Sequence, residues 1–307
     1  MRGSDINIDI TRKCTLKCRH CYNHSGEMNN DELASDELFR IMNDLASTRP
    51  DNFCICGGEP LLKKEIIFRF IDHQKKINSE MNIGMVTNGE LLTESISEKL
   101  IYYGLNNIQF SIDGATENSH DWLRNKKGLF ENLLHTIMQL NILRRKAKSD
   151  IKISAVCCLN KRNYEELPKI IELCTRLGID ILRVQPLMKM GRAKEGLDAY
   201  SLSKNEYIQA ANYLLVNRYK NIQKDGISIE WCDSLEHLFM EQLDFIQVNE
   251  KGELLLSPYI PIIIGDLKKH SISSSFFFTF INIIFLTIKK YDVTILANES
   301  KNLSLYL

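Results

Sequence analysis

The chain has 307 residues, of which 44% are hydrophobic and 25% charged, a balance that suits one large globular domain or two modest ones with a real core. Lysine plus arginine number 39 and aspartate plus glutamate number 39, so the formal net charge is zero. That balance speaks against nucleic acid as a partner and against a disordered acidic or basic tail as the main feature.

Residues 1–10, MRGSDINIDI, hold no apolar stretch of the length a secretory signal needs. This places the protein in the cytoplasm, where its nine cysteines are free, buried or metal-bound rather than joined in disulfides. Short apolar runs predict strands at 5–10, 52–56, 82–87, 107–112, 151–157 and 180–185. Amphipathic stretches predict helices at about 35–47, 62–77, 93–103, 128–145 and 163–177. In the last of these, Leu167, Ile170, Ile171, Cys174 and Leu177 keep the three-and-four spacing of one buried face, and Pro168 falls near the first turn.

Strands alternating with helices imply an α/β fold with parallel pairing through crossovers. Periodicity leaves two forms open, a flat doubly wound sheet and a sheet curled toward a barrel. In both, function gathers on the loops after the strands. Those loops carry the unusual residues: Cys14 to Cys21, Gly57 to Pro60, Asn88–Gly89 and Asp113–Gly114. Beyond about residue 195 the pattern changes to a helix at 203–219 and short strands near 227–231, 244–248 and 253–256, with a turn at Asn249–Gly252. The run 276–288, FFFTFINIIFLTI, is 13 residues long, short of the roughly 20 that a bilayer span needs. It reads as a buried strand or helix, with an interfacial segment as the alternative, and no membrane partner is expected.

The loop after the first strand reads Thr11-Arg-Lys-Cys14-Thr-Leu-Lys-Cys18-Arg-His-Cys21-Tyr22. Three soft thiolates on one short loop select zinc, copper(I) or an iron–sulfur cluster. One solution is a Cys3His zinc site completed by His20 or His24. The other is a cubane cluster with three irons held by cysteine and the fourth open to an outside ligand. Cysteines spaced C-x3-C-x2-C directly after the first strand of a β/α chain, with Gly57-Gly58-Glu59-Pro60 closing the second strand, resemble the radical S-adenosylmethionine (SAM) superfamily over about residues 5–195. More narrowly, the chain resembles its peptide- and protein-modifying subgroup with a SPASM or twitch-type C-terminal domain.

The resemblance implies a partial (β/α)6 TIM-like barrel at 1–195 and a small α+β extension at 196–307, with 270–307 unassigned. It implies that Cys14, Cys18 and Cys21 bind a [4Fe–4S] cluster whose open iron takes the amino and carboxylate groups of SAM. One-electron cleavage of the sulfonium then yields a 5′-deoxyadenosyl radical. By the same resemblance His20 lies beside the adenine, Gly57, Gly58 and Glu59 meet the methionine amino group, and Asn88 ends the third strand near the cofactor. Ser111 and Asp113, which alternation puts on one face, reach the ribose or methionine end. Arg124 approaches the SAM carboxylate, and Leu187 follows the sixth strand near adenine.

The C-terminal region has one cysteine, Cys232, too few for an auxiliary cluster, which requires about four thiolates. The segments Gly252–Pro258 and Ile264–Leu267 resemble a degenerate appended domain, with Ser257 where a ligating cysteine is expected. Of the remaining thiols, Cys54 and Cys56 point the same way on their strand, Cys157 and Cys158 point oppositely, and Cys174 lies on a helix's apolar side. Packing is the plain reading of each. The alternative is a hydrogen-atom donor of a radical epimerase, for which Cys232 and Cys157 are the candidates. The substrate implied is a ribosomally made peptide or a protein residue, altered by epimerisation or another carbon-centred change, with flavodoxin or ferredoxin as electron donor. Two alternatives stand beside this: a radical SAM enzyme acting on a small metabolite or cofactor precursor, and a non-catalytic zinc-binding module.

Overall fold

The computed structural model describes residues 5–222, 226–231, 245–257 and 260–270. Strands β1 (Asp5–Asp9), β2 (Asn52–Cys56), β3 (Asn82–Thr87), β4 (Asn107–Ser111), β5 (Lys152–Leu159), β6 (Ile181–Pro186) and β7 (Ser228–Trp231) pair in chain order, all parallel. Helices α1 (Ser35–Ala46), α2 (Lys64–Ile77), α3 (Glu94–Tyr103), α4 (Glu117–Arg124), α5 (Leu129–Lys146), α6 (Leu167–Arg176) and α7 (Lys204–Ile222) fill the crossovers. On the far side of β1, β8 (Phe245–Val248) adds in parallel, followed by β9 (Glu253–Ser257) and β10 (Ile260–Asp266) in antiparallel pairing.

Alternation along the strands explains the layering. Ile6, Ile8, Phe53, Ile55, Ile83, Met85, Ile108, Phe110, Ile153, Ala155, Leu182 and Val184 are fully buried or nearly so. They share one core with the inward faces of the helices, such as Leu38, Ile41 and Leu45 of α1 and Ile67, Phe70 and Ile71 of α2. The intervening residues are largely polar: Asn7, Asp9, Cys54, Cys56, Gln109, Ser111, Arg183, Gln185 and Gln247. A parallel sheet covered by helices on both faces would be apolar on both. Here one face packs helices and the other lines a cavity.

That cavity settles the question periodicity leaves open. Asn7, Cys56, Val86, Gln109, Ser111, Val156, Cys158, Gln185 and Gln247 come from seven strands and line a single space. Only a curled sheet brings the inner faces of so many strands around one point. The architecture is therefore the partial (β/α) barrel of the expectation.

Two departures concern elements. α4 falls in the stretch after β4 for which the sequence pattern predicted only one helix, and β10 was not predicted. The extension does not stand apart as a separate layer: β7 continues the barrel beside β6, while β8 continues the same sheet beside β1. Among the described residues no helix is long and apolar enough to cross a membrane. Cys232 and the apolar run 276–288 lie outside the described residues, as does the side chain of Ser257.

Candidate active site

The loop after β1 is fixed by its own backbone and by three neighbours. Cys14 N donates to Gly26 O at 2.9 Å and Gly26 N to Arg12 O at 3.1 Å, closing the loop on itself. Glu32 accepts from Arg12 N at 2.8 Å and from Thr11 Oγ1 at 2.9 Å. From the β2 loop, Gly58 N donates to Thr11 O at 2.7 Å and Glu59 N to Lys13 O at 2.9 Å. From the loop after β6, Arg192 N donates to Cys21 O at 3.1 Å and Arg192 Nε to Cys18 O at 2.7 Å.

A Cβ at Gly58 would lie 2.6 Å from Arg12 O and collide with Lys13 O. Gly191 has φ +51 and no room for a Cβ against Cys21 O and Tyr22 O. Both glycines let a second chain segment lie flat on the cysteine loop.

Cys14, Cys18 and Cys21 line the cavity, and all three pack with Leu16 and Leu129 in one apolar cluster. Donors aim at the sulfurs: Leu16 N at 3.4 Å from Cys14 Sγ, Ser25 N at 3.2 Å from Cys21 Sγ, Asn88 Nδ2 at 3.8 Å from Cys14 Sγ and Arg124 Nη1 at 3.8 Å from Cys18 Sγ. Burial pushes the Cys14 thiol up to about 12 and raises Cys18 as well. Thiolates there need a cationic partner, which a bound metal centre supplies. Among the described residues no three His, Cys, Asp or Glu side chains gather closely enough to hold a single metal ion. Zinc would require four ligands within about 2.3 Å of one point. Three cysteine sulfurs on one apolar cavity wall, each met by a donor, suit the thiolate ligation of an iron–sulfur cluster.

The remaining candidate residues fall into two groups. His20, Gly57, Gly58, Asn88, Ser111 and Arg124 line the cavity, whose volume is about 260 Å³. Glu59, Asp113 and Leu187 do not; they stand behind its wall. Fully buried Glu59 accepts from Leu61 N at 3.1 Å, Thr87 Oγ1 at 2.9 Å and Asn88 N at 3.0 Å, so it ties the β2 loop to the end of β3. Burial pushes its carboxyl up to about 7 although those hydrogen bonds pull the other way.

Asp113 is also fully buried, 2.6 Å from Arg124 Nε and 2.8 Å from Cys158 N. Burial opposes its ionisation, but Arg124 and His20 hold it below the usual carboxylate range. Ser111 and Asp113 therefore do not present themselves together as alternation implied, because the chain leaves the strand after Ser111. Asp113 instead anchors Arg124, whose side chain is 11% exposed and so is not a solvated helix arginine. Leu187 packs with Leu123, Ala193 and Cys158, while Pro186 and Met188 on either side reach the cavity.

Cys157 takes the packing reading and not the alternative of a hydrogen-atom donor on the cavity wall. It is fully buried in the main core with Ala155 and Leu159, and its Sγ lies 3.9 Å from Asn163 Nδ2. The period of two puts Val156 and Cys158 on the inner face instead. Sequence reasoning also passed over Asn7, Asn23, Gln109 and Gln247, which all line the cavity. A polar residue at every second strand position was the available signal for Asn7, Gln109 and Gln247.

Comparison with known proteins bears on this arrangement. A profile of the radical SAM superfamily matches residues 8–174. The AdoMet-dependent heme synthase of Methanosarcina barkeri is 28% identical over 286 residues, covering 86% of this chain and 79% of that protein. The sporulation killing factor maturation protein SkfB of Bacillus subtilis is 29% identical over 202 residues, covering 66% of this chain and 47% of that protein. Among solved structures, Streptococcus suis SuiB bound to S-adenosylmethionine superposes with a TM-score of 0.64 at 15% identity. That match covers 82% of this chain and 59% of SuiB. The chain thus spans about half to four-fifths of the length of these relatives.

Proposed function

The chain belongs to the radical SAM superfamily, and on that premise we propose that it modifies a carbon of a ribosomally made peptide or protein residue. As a member of that family it uses a [4Fe–4S] cluster and SAM. In this proposal Cys14, Cys18 and Cys21 hold the cluster. His20, Gly57, Gly58, Asn88, Ser111 and Arg124 contact SAM, with Glu59, Asp113 and Leu187 supporting them from behind. When bound, the cofactor pair supplies a carbon-centred radical through one-electron cleavage of the sulfonium. The protein's share is orientation and the exclusion of competing reactions. Reduced flavodoxin or ferredoxin provides the electron, in the cytoplasm.

The observation that carries the peptide reading is the rest of the cavity wall. Asn7, Asn23, Gln109, Gln185 and Gln247 line the same cavity as the proposed SAM contacts, with Asn23 and Gln247 also donating to Asp9 and Gln109 accepting from Arg183. A carboxamide both donates and accepts, matching the alternating N–H and C=O of a peptide backbone. Among the described residues the lining cations are Arg124 and Arg192. Arg124 is already engaged by Asp113, a poor provision for a triphosphate or for the several carboxylates of a porphyrin. SkfB, named as a maturation protein, agrees with this reading.

The second reading, a small metabolite or cofactor precursor, is favoured by the long match to the heme synthase. One experiment separates them. Reconstituted enzyme with SAM and dithionite is offered peptides encoded beside its gene or, separately, an iron porphyrin. We expect a peptide to raise the rate of 5′-deoxyadenosine release and to emerge with an altered residue; stimulation by the porphyrin alone would overturn the peptide reading.

A further inference from the structure

Two thiols meet on the inner face of β2. Cys54 Sγ and Cys56 Sγ lie 3.4 Å apart, as residues two apart on a strand point the same way. Cys56 lines the cavity with Asn7 and Gln247, and its register partner on β1 is Asp9. Asp9 is 2% exposed, and its Oδ1 is buried with no hydrogen-bond partner. Outside the cysteine loop, Cys158 is the other thiol on the wall among the described residues. Its backbone N–H is held by Asp113, and it packs with Leu123, Leu187 and Ala193 beside Arg124. Cys158 therefore sits near Arg124, and Cys56 lies between the carboxamides of Asn7 and Gln247 and the proposed SAM contact Gly57.

We propose that Cys56 is a catalytic hydrogen-atom donor to a carbon-centred radical in this cavity and that Cys54 relieves it of the unpaired electron. The inference rests on the radical, carbon-modifying reading above and names a residue that performs it. In the first step the Cys56 S–H bond breaks homolytically and a C–H bond forms, leaving a thiyl radical on Cys56. In the second, the hydrogen atom of Cys54 crosses the sulfur–sulfur contact, which restores the Cys56 thiol and leaves the thiyl on Cys54. The two thiols are chemically alike, so this exchange is close to isoenergetic and moves the radical off the cavity wall. In the third, one electron from a reduced flavin or iron–sulfur carrier and one proton from solvent restore Cys54.

A hydrogen-atom donor must be a neutral thiol. The hydrogen bond with Cys54, burial and nearby Asp9 all hold Cys56 well above the ordinary thiol range.

The test uses reconstituted holoenzyme with SAM and dithionite in deuterated buffer and no added substrate, so that exchangeable thiols carry deuterium. We expect 5′-deoxyadenosine from the wild type to carry one deuterium in most molecules. Cys56→Ala should lower that fraction at least tenfold at unchanged iron content, and Cys174→Ala, in the core on α6, should leave it unchanged. Cys54→Ser should keep the label and shorten the run of turnovers. Brief alkylation of the holoenzyme with N-ethylmaleimide, mapped by mass spectrometry, should mark Cys56 before Cys157 or Cys174. Unlabelled 5′-deoxyadenosine from the wild type, label that survives in Cys56→Ala, or Cys157 alkylated ahead of Cys56 would overturn the assignment and leave the family chemistry standing. A wild type that releases no 5′-deoxyadenosine would overturn both.

Discussion

Asp9 ends β1 with Oδ2 taking an N–H from Gln247 at 3.2 Å and another from Asn23 at 3.5 Å, while Oδ1 is buried without a partner. Burial, and then the charge of Glu250, push its carboxyl up to about 7 from 3.8. Between those values the native state keeps a proton that the unfolded chain has lost, so stability falls as pH rises across the window. The effect is at most about 4 kcal/mol for a shift of this size. Asp9→Asn removes the titration; its amide oxygen can meet Gln247 and Asn23, and its NH2 takes the Oδ1 position. Urea denaturation at pH 5 and pH 8 should show wild type losing more stability than Asp9→Asn over that interval; equal losses would refute the buried-carboxylate account. Side chains of this kind were partly legible in the sequence. The cysteine spacing singled out Cys14, Cys18 and Cys21. Asp113, Glu59 and Leu187 were placed one layer too close to the cavity, because motif resemblance identifies a segment and not which way each side chain points.

At the scale of elements, the cysteine loop is a surface on which two other loops are stacked. Gly58→Ala should force the β2 loop off the backbone of Lys13 and Arg12, at about 3 kcal/mol or more, and the reconstituted protein should retain less iron. Gly128→Ala is the natural comparison. Gly128 also has positive φ, +76, but nothing lies within 4 Å of the Cβ position, so the backbone penalty alone, about 1 kcal/mol, should leave iron content intact. Equal iron in both variants would show that the stacking does not hold the site. Strands β1 to β6 were legible to within two residues because each is a short run of buried apolar residues broken by polar ones. α4 was not, since its eight residues, ENSHDWLR, carry few apolar residues and bury the polar Ser119, His120 and Asp121, with His120 Nδ1 accepting from Asp113 N. β10 escaped because Pro258 and Pro261 punctuate its approach.

On the scale of the whole molecule, the barrel is a wall with two chemistries, helices packed outside and polar groups within. Seven strands contribute to one cavity, and strand β8 of the C-terminal region supplies Gln247 to it, so that region helps shape the cavity. Sequence could not reveal that union, because pairing between β1 and β8 joins residues some 240 positions apart. The central claim is that three cysteines hold a cluster with one iron left open for SAM. It is tested most directly by the electron paramagnetic resonance spectrum of the anoxically reconstituted, dithionite-reduced protein, recorded before and after SAM is added. The account predicts the signal of a reduced [4Fe–4S] cluster that changes shape when SAM binds. A spectrum without a cluster signal, or one indifferent to SAM, would contradict it.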